Sequence, residues 1–300
     1  MSDTANVGLI GCGHWGKNIL RDLVSLGCRV HVVARSEASI GRATEGGASS
    51  ITSDLGGVPE VDGYVVAVPT SLHADVLAEV LNSGAPVFVE KPMTADVESA
   101  RRLAGEQHLF VMDKWRYHPG VGALRDLTAS GRFAAPSLIA TTRHSRFNPH
   151  DDVDAVWILA PHDLSIIVEI LGALPPAVSA VGESDGSEAS LVGLMGGDGV
   201  AAVVDVSSRA HEFRREVRVL YESAVAVLSD GYADAIEIHI TDPGFEPIKE
   251  SIPIAGDMPL LLELEAFVGH LQGGPPPRSS AATGAAIVER IDDLRTMAGI

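Results

Sequence analysis

The strongest constraint on this chain is the texture of its first 114 residues. Short runs rich in Val and Ile, with no polar alternation, recur at 7–10, 30–33, 63–68, 86–89 and 109–112. Helical patterns fill the gaps at 14–26, 36–45, about 71–83 and about 95–107. A strand that is apolar at every position buries both faces, so its sheet is covered on both sides. Helices between such strands supply that cover, and the repetition predicts a doubly wound parallel sheet over 1–114.

After 114 the pattern changes. Helices are expected near 119–130 and over 161–171, the second ending before Gly172, with a strand near 137–142. β-type runs then follow at 191–195, 201–206, 216–221, 224–228 and 236–240 without long helices between them. That layout predicts an antiparallel sheet in a second α+β domain over 115–272. GGPPPRSS at 273–280 cannot lie inside a helix and reads as a linker. A closing helical pattern at 285–297 is expected to return residues 280–300 to the first domain.

Composition narrows the partners. The chain has 300 residues, is 46% hydrophobic and carries a formal net charge of −18. Such a surface repels phosphate backbones and anionic membranes, so neither nucleic acid nor membrane is an expected partner. No apolar run reaches the length of about 18 residues that a membrane span needs. The start, MSDTANVGLIG, lacks the basic segment of a secretory signal. Two cysteines, Cys12 and Cys28, form no disulfide or zinc spacing, which fits a cytoplasmic protein. The histidines stand at no trusted ligand spacing, so no metal is expected.

Four stretches carry chemistry. GCGHWG, with Gly11, Gly13, His14, Trp15 and Gly16, follows the first strand and opens the first helix. Glycines there permit a tight turn, close approach of a pyrophosphate and close helix–strand packing. The helix start then meets phosphate charge with free N–H groups. At the end of the second strand, where an NAD site usually has Asp or Glu, the chain has Ala34, Arg35 and Ser36. Arg35 can pair with a 2′-phosphate and Ser36 can add a hydrogen bond, so NADP is favoured over NAD. The alternative is an Arg35 that stacks on the adenine.

AVPTSLH ends the next buried strand, placing Pro69, Thr70 and His73 at the edge where such sheets bind ligands. His73 either nears the nicotinamide or is an ordinary helix-surface histidine. VFVEKPMT puts Glu90 and Lys91 at the carboxyl end of another strand. A lysine there can hydrogen-bond a substrate hydroxyl and stabilise a developing alkoxide. The alternative is an exposed lysine paired with Glu90.

Together, GCGHWG and AVPTSLHADVLAEVLNSGAPVFVEKPM resemble the glucose–fructose oxidoreductase / inositol dehydrogenase (Gfo/Idh/MocA) family. MDKWRYHPG at 112–120 is similar to its interdomain segment, and the HD of PHDLSII to its second catalytic motif. The likeness covers most of 5–172 and is weak beyond. It implies a Rossmann domain, an open-sheet second domain, and a homodimer or homotetramer. It also implies hydride transfer between NADP or NAD and a hydroxyl or keto carbon of a sugar, nucleotide-sugar or cyclitol. Lys91 would contact cofactor and substrate, with Glu90 beside it, and His162 would be the acid/base.

His162 and Asp163 sit in VWILAPHDLSII, an otherwise apolar stretch. Pro161 suits the first position of a helix, which places both in the first turn, where the dipole favours an anionic Asp163 and a neutral His162. A neutral imidazole is what a base for an alcohol needs. The alternative is that Asp163 only caps backbone N–H groups. Arg116 and Tyr117 join His162 and Asp163 as expected substrate contacts. His144, Arg146, His150 and Asp151 form a polar patch suited to a charged or nucleotide-linked sugar. The family more often has Asp or Asn four residues before the histidine; here that residue is Ile158. A non-catalytic dinucleotide-binding sensor or scaffold of the same fold is the rival expectation.

Overall fold

The computed structural model describes residues 4–197, 199–241 and 248–300. The chain divides into two compact units, Met1–Lys114 with Met258–Val288, and Trp115–Asp257 with Glu289–Ile300.

The first unit begins β1 (Asn6–Ile10), α1 (Gly16–Ser25), β2 (Arg29–Val33), α2 (Glu37–Glu45) and β3 (Ser50–Thr52). It continues through β4 (Gly63–Val66), α3 (His73–Val80), β5 (Val87–Glu90), α4 (Val97–Leu103) and β6 (Leu109–Met112). All six strands are parallel, in the order β3-β2-β1-β4-β5-β6. Every residue of β5 and β6 is buried, which is why these runs show no alternation. The order reverses between β1 and β4, and the carboxyl ends on either side of that point flank the ligand crevice of such sheets.

The second unit contains α5 (Pro119–Ala129), β7 (Leu138–His144), α6 (Ala155–Leu171), β8 (Ala177–Asp185), β9 (Glu188–Met195) and β10 (Ala201–Ser207). β11 (Arg214–Leu220), β12 (Ala224–Leu228), β13 (Ala235–Ile240) and β14 (Ile248–Pro253) complete its sheet. The order is β14-β13-β12-β11-β7-β10-β9-β8, and only the β7–β10 pair is parallel. Ile139, Thr141 and Arg143 of β7 are buried, while the residues between them are half-buried. The same alternation runs through β10, as expected of a sheet with one covered face.

The helix expected over 161–171 starts six residues earlier. Asp154 caps it by accepting a hydrogen bond from the Val156 N–H at 3.0 Å, and Pro161 lies in its interior. An interior proline costs about 3 kcal/mol. The extra turns bury Val156, Trp157 and Ile158, each contributing roughly 1.5–3 kcal/mol, so burial wins. His162 and Asp163 therefore sit two turns inside α6, and the first-turn dipole argument does not apply to them. Gly172, at φ +80°, ends the helix as expected.

Two helices close the chain, α7 (Pro259–Leu271) and α8 (Ala281–Ala298). The sequence alone places residues 258–272 in the second domain. They pack in the first unit, where Phe267 stacks on Phe88 with ring centroids 4.9 Å apart. Helix α8 belongs to the first unit only as far as Val288. Beyond it, Leu294 lies against Gly193 of β9. Among the described residues no helix is long and apolar enough to cross a membrane.

Candidate active-site residues

In the first unit, the three glycines of GCGHWG do three different things. Gly11 has φ +96°, and a Cβ there would fall 2.5 Å from the Ala67 carbonyl oxygen. A Cβ on Gly16 would fall 2.5 Å from the Gly11 carbonyl oxygen, so the helix start presses against the turn. A Cβ on Gly13 would meet nothing within 4 Å. That open space lies before the start of α1, which no side chain caps. An uncapped helix start beside open space fits a pyrophosphate. Arg42, which the sequence reading overlooked, holds the turn by donating from Nε to the Cys12 carbonyl at 2.9 Å.

Arg35 and Ser36 follow β2 and are both exposed. Arg35 Nε donates to the Ser53 carbonyl at 3.1 Å, which anchors its guanidinium beyond the strand end. Ser36 forms a reciprocal capping box with Ser39 at the start of α2, so its hydroxyl has a structural duty. His73 is buried rather than on a helix surface. Nδ1 lies 2.8 Å from the Pro92 carbonyl oxygen and Nε2 3.0 Å from that of Val68. It braces the turn carrying Pro69 and Thr70 against the segment after Lys91.

Glu90 ends β5, and the following Lys91–Pro92 peptide is cis. Trp15 Nε1 donates to Glu90 Oε1, and the Lys91 backbone N–H donates to Oε2 at 3.1 Å. The Lys114 ammonium stands 4.2 Å from the centroid of the Trp15 ring. The glycine turn is thus tied to the strand end that bears Lys91. Burial raises the Glu90 carboxyl above its ordinary range, against the pull of Lys91, Lys114 and the Trp15 hydrogen bond. His14 is exposed beside this turn.

In the second unit, Trp115 is the centre of a packed group. Its ring stacks on His118 at 4.9 Å and meets the half-buried His162 edge-on at 6.5 Å. The Arg143 guanidinium lies 4.4 Å from its centroid. Arg143 Nε donates to Asp163 Oδ2 at 2.9 Å, with side chains only 4% and 1% exposed. Burial raises the Asp163 carboxyl above its ordinary value despite Arg143. The period-two alternation of LIATTRH is the sequence signal that places Arg143 on the covered face.

The other expected substrate contacts have internal partners. Arg116 Nε donates to Glu169 Oε2 at 2.9 Å, and Arg125 reaches the other oxygen of Glu169 at 2.6 Å. Tyr117 is half-buried next to Arg116 in a single 3-10 turn. The polar patch is dispersed. His144 pairs with Asp205 at 3.0 Å, Arg146 donates to the His211 carbonyl, and His150 lies 3.9 Å from Asp152. Asp151 is exposed.

Residues 5–108 match the model of the Gfo/Idh/MocA group, described as an oxidoreductase family with an NAD-binding Rossmann fold. Over that stretch the chain is similar to this family. It is 26% identical over 296 residues to UDP-N-acetylglucosamine 3-dehydrogenase of Acidithiobacillus ferrooxidans, spanning 94% of this chain and 93% of that one. It is 31% identical over 144 residues to inositol 2-dehydrogenase of Corynebacterium glutamicum, covering 44% and 43% of the two chains. Among solved structures, the Acidithiobacillus enzyme superposes with a TM-score of 0.84 at 25% identity, covering 98% and 97% of the chains. A levoglucosan dehydrogenase in complex with NADH shares the fold, with a TM-score of 0.86 at 16% identity over 99% and 97%. These likenesses support an oxidoreductase with a nicotinamide-binding Rossmann domain.

Proposed function

We propose that the protein transfers hydride between a nicotinamide and a hydroxyl or keto carbon of a sugar, nucleotide-sugar or cyclitol. The observation that carries this reading is the Trp15–Glu90 hydrogen bond, which ties the glycine turn to the strand end bearing Lys91. The match to a nucleotide-sugar dehydrogenase over 94% of the chain supports the substrate class. The bound nicotinamide supplies the hydride acceptor or donor. Lys91 hydrogen-bonds the substrate hydroxyl and stabilises the developing negative charge on its oxygen. His162 takes the hydroxyl proton in oxidation and returns it in reduction. Tyr117 contributes to substrate recognition, the buried Arg143–Asp163 pair holds α6 against β7, and Arg35 favours NADP over NAD.

The protein works in a reducing cytoplasm, where the buried Cys12 and Cys28 remain thiols. Exposed Val181, Val192 and Leu194 on β8 and β9 suit contact with a second copy of the chain. The test of the reaction is turnover across a panel of nucleotide-sugars, free sugars and cyclitols. Lys91→Ala and His162→Ala should each lower kcat by at least about 100-fold. Cofactor affinity should change far less in His162→Ala than in Lys91→Ala. A His162→Ala enzyme with wild-type kcat would overturn the assignment.

A further inference from the structure

Glu263 has no role in the reaction as described above. It lies on the same buried stripe of α7 as Leu260, Leu264 and Phe267 and is 1% exposed. Neither carboxylate oxygen has a hydrogen-bond partner among the described residues. An ionised carboxylate placed there would be deprived of water and of donors together, which costs several kcal/mol. The charged groups near it come from two strand ends, Glu90 and Lys91 at the end of β5, and Asp113 and Lys114 after β6. Helix α1 adds Ile19, Leu20 and Leu23 to the same core, and its buried Asp22 is paired with Arg21.

The two glutamates are unequally equipped. Glu90 accepts hydrogen bonds from the Trp15 indole and the Lys91 backbone N–H, which stabilise its ionised form. Glu263 accepts none. When two neighbouring carboxyls share one proton, it resides on the less solvated partner. With the proton on Glu263, this residue adds no charge to the group formed by Glu90, Lys91, Asp113 and Lys114. With Glu263 ionised, an uncompensated negative charge is added beside Lys91.

We propose that Glu263 is a positioning residue for Lys91, a buried carboxylic acid that keeps its proton at neutral pH and so adds no negative charge beside Lys91. This rests on the proposed role of Lys91. Loss of the proton in alkaline solution offsets the positive charge that Lys91 offers the substrate oxygen, so turnover falls there. Burial and the nearby Glu90 carboxylate both raise the Glu263 carboxyl well above its ordinary range, which agrees with this assignment.

Infrared difference spectroscopy on the full-length protein tests the proton directly. Wild type should show a protonated-carboxyl C=O stretch at neutral pH that fades in alkaline solution, and Glu263→Gln should lack it. In Glu263→Gln, kcat should fall by less than about tenfold at neutral pH, and the alkaline decline should move to higher pH or vanish. Glu263→Met, also uncharged and of similar length, should behave alike if the amide disturbs folding. An unchanged carboxyl band in Glu263→Gln would overturn the proposal. So would an alkaline decline unaltered in both folded variants. The spectroscopic result does not depend on turnover, so it separates failure of this assignment from failure of the proposed reaction.

Discussion

Replacing Asp163 with Asn should unfold the second unit far more readily than it weakens substrate binding. The carboxylate is 1% exposed and receives the Arg143 guanidinium at 2.9 Å. The amide fills the same space but removes the charge, leaving Arg143 buried and uncompensated. Breaking one side of a buried pair costs about 3–5 kcal/mol. The register adds to this, because Arg215 of β11 lies directly opposite Arg143 on the same face. Like charges placed opposite each other on adjacent strands repel by a further fraction of a kcal/mol. For a unit of this size, each kcal/mol lowers Tm by roughly 2–4 °C, so a fall of about 10 °C is expected. Urea titration followed by circular dichroism gives the free energy without assuming a heat capacity. The double variant Arg143→Met/Asp163→Leu should recover at least half of the loss, since the charge and its partner leave together. A cost below about 1 kcal/mol for Asp163→Asn, with a raised substrate KM, would refute the structural reading and return Asp163 to direct substrate contact.

Four further outcomes are expected. Arg35→Ala should raise KM for NADPH about tenfold or more and leave KM for NADH nearly unchanged, as read by initial rates with each cofactor. Gly13→Ala should weaken cofactor binding in a fluorescence titration while costing little stability, because its Cβ would enter open space. Gly16→Ala should instead cost roughly 1–3 kcal/mol in urea denaturation, because its Cβ would strike the Gly11 carbonyl. The raised Glu263 carboxyl also makes stability depend on pH. The folded state retains a proton that the unfolded chain releases above about pH 4.5, so stability falls as pH rises towards the folded-state value. Glu263→Gln should remove up to ~1.4 kcal/mol per pH unit of that slope, measured between about pH 5 and pH 7.

The Rossmann half was legible because its strands are buried on both faces and its glycine turn has a single use. Lys91 could be placed at a strand end from Val87–Glu90 and the proline after it. Three elements escaped for identifiable reasons. The true start of α6 was hidden by Pro161, which is usually a first-turn residue and here sits inside the helix because residues 155–160 are apolar enough to override it. Strand β8 has Ala180, Gly182 and Ser184 opposite the buried residues of β9, where alternation would need large apolar side chains, so it gives no periodic signal. Helix α7 has its apolar stripe at Leu260, Leu264, Phe267, Val268 and Leu271, a regular spacing that went unread. Missing it concealed Glu263, since a glutamate in a helix is ordinarily solvated. The pairing of Arg143 with Asp163 joins residues 20 apart in sequence, and no local pattern announces it.

Because Phe88 of β5 finds its stacking partner in Phe267 of α7, the first unit is not complete when its sixth strand leaves the ribosome. Some 160 residues of further synthesis separate Met112 from the end of α7, a wait of about 8–30 s at ordinary elongation rates. During that interval one side of a fully formed parallel sheet lacks its cover. The stretch between β6 and α7 thus acts as a clock as well as a domain. A nascent chain arrested near residue 250 should recruit hydrophobic-surface chaperones and be cut readily by protease. One arrested after full emergence of Leu271 should resist cleavage within its first 114 residues.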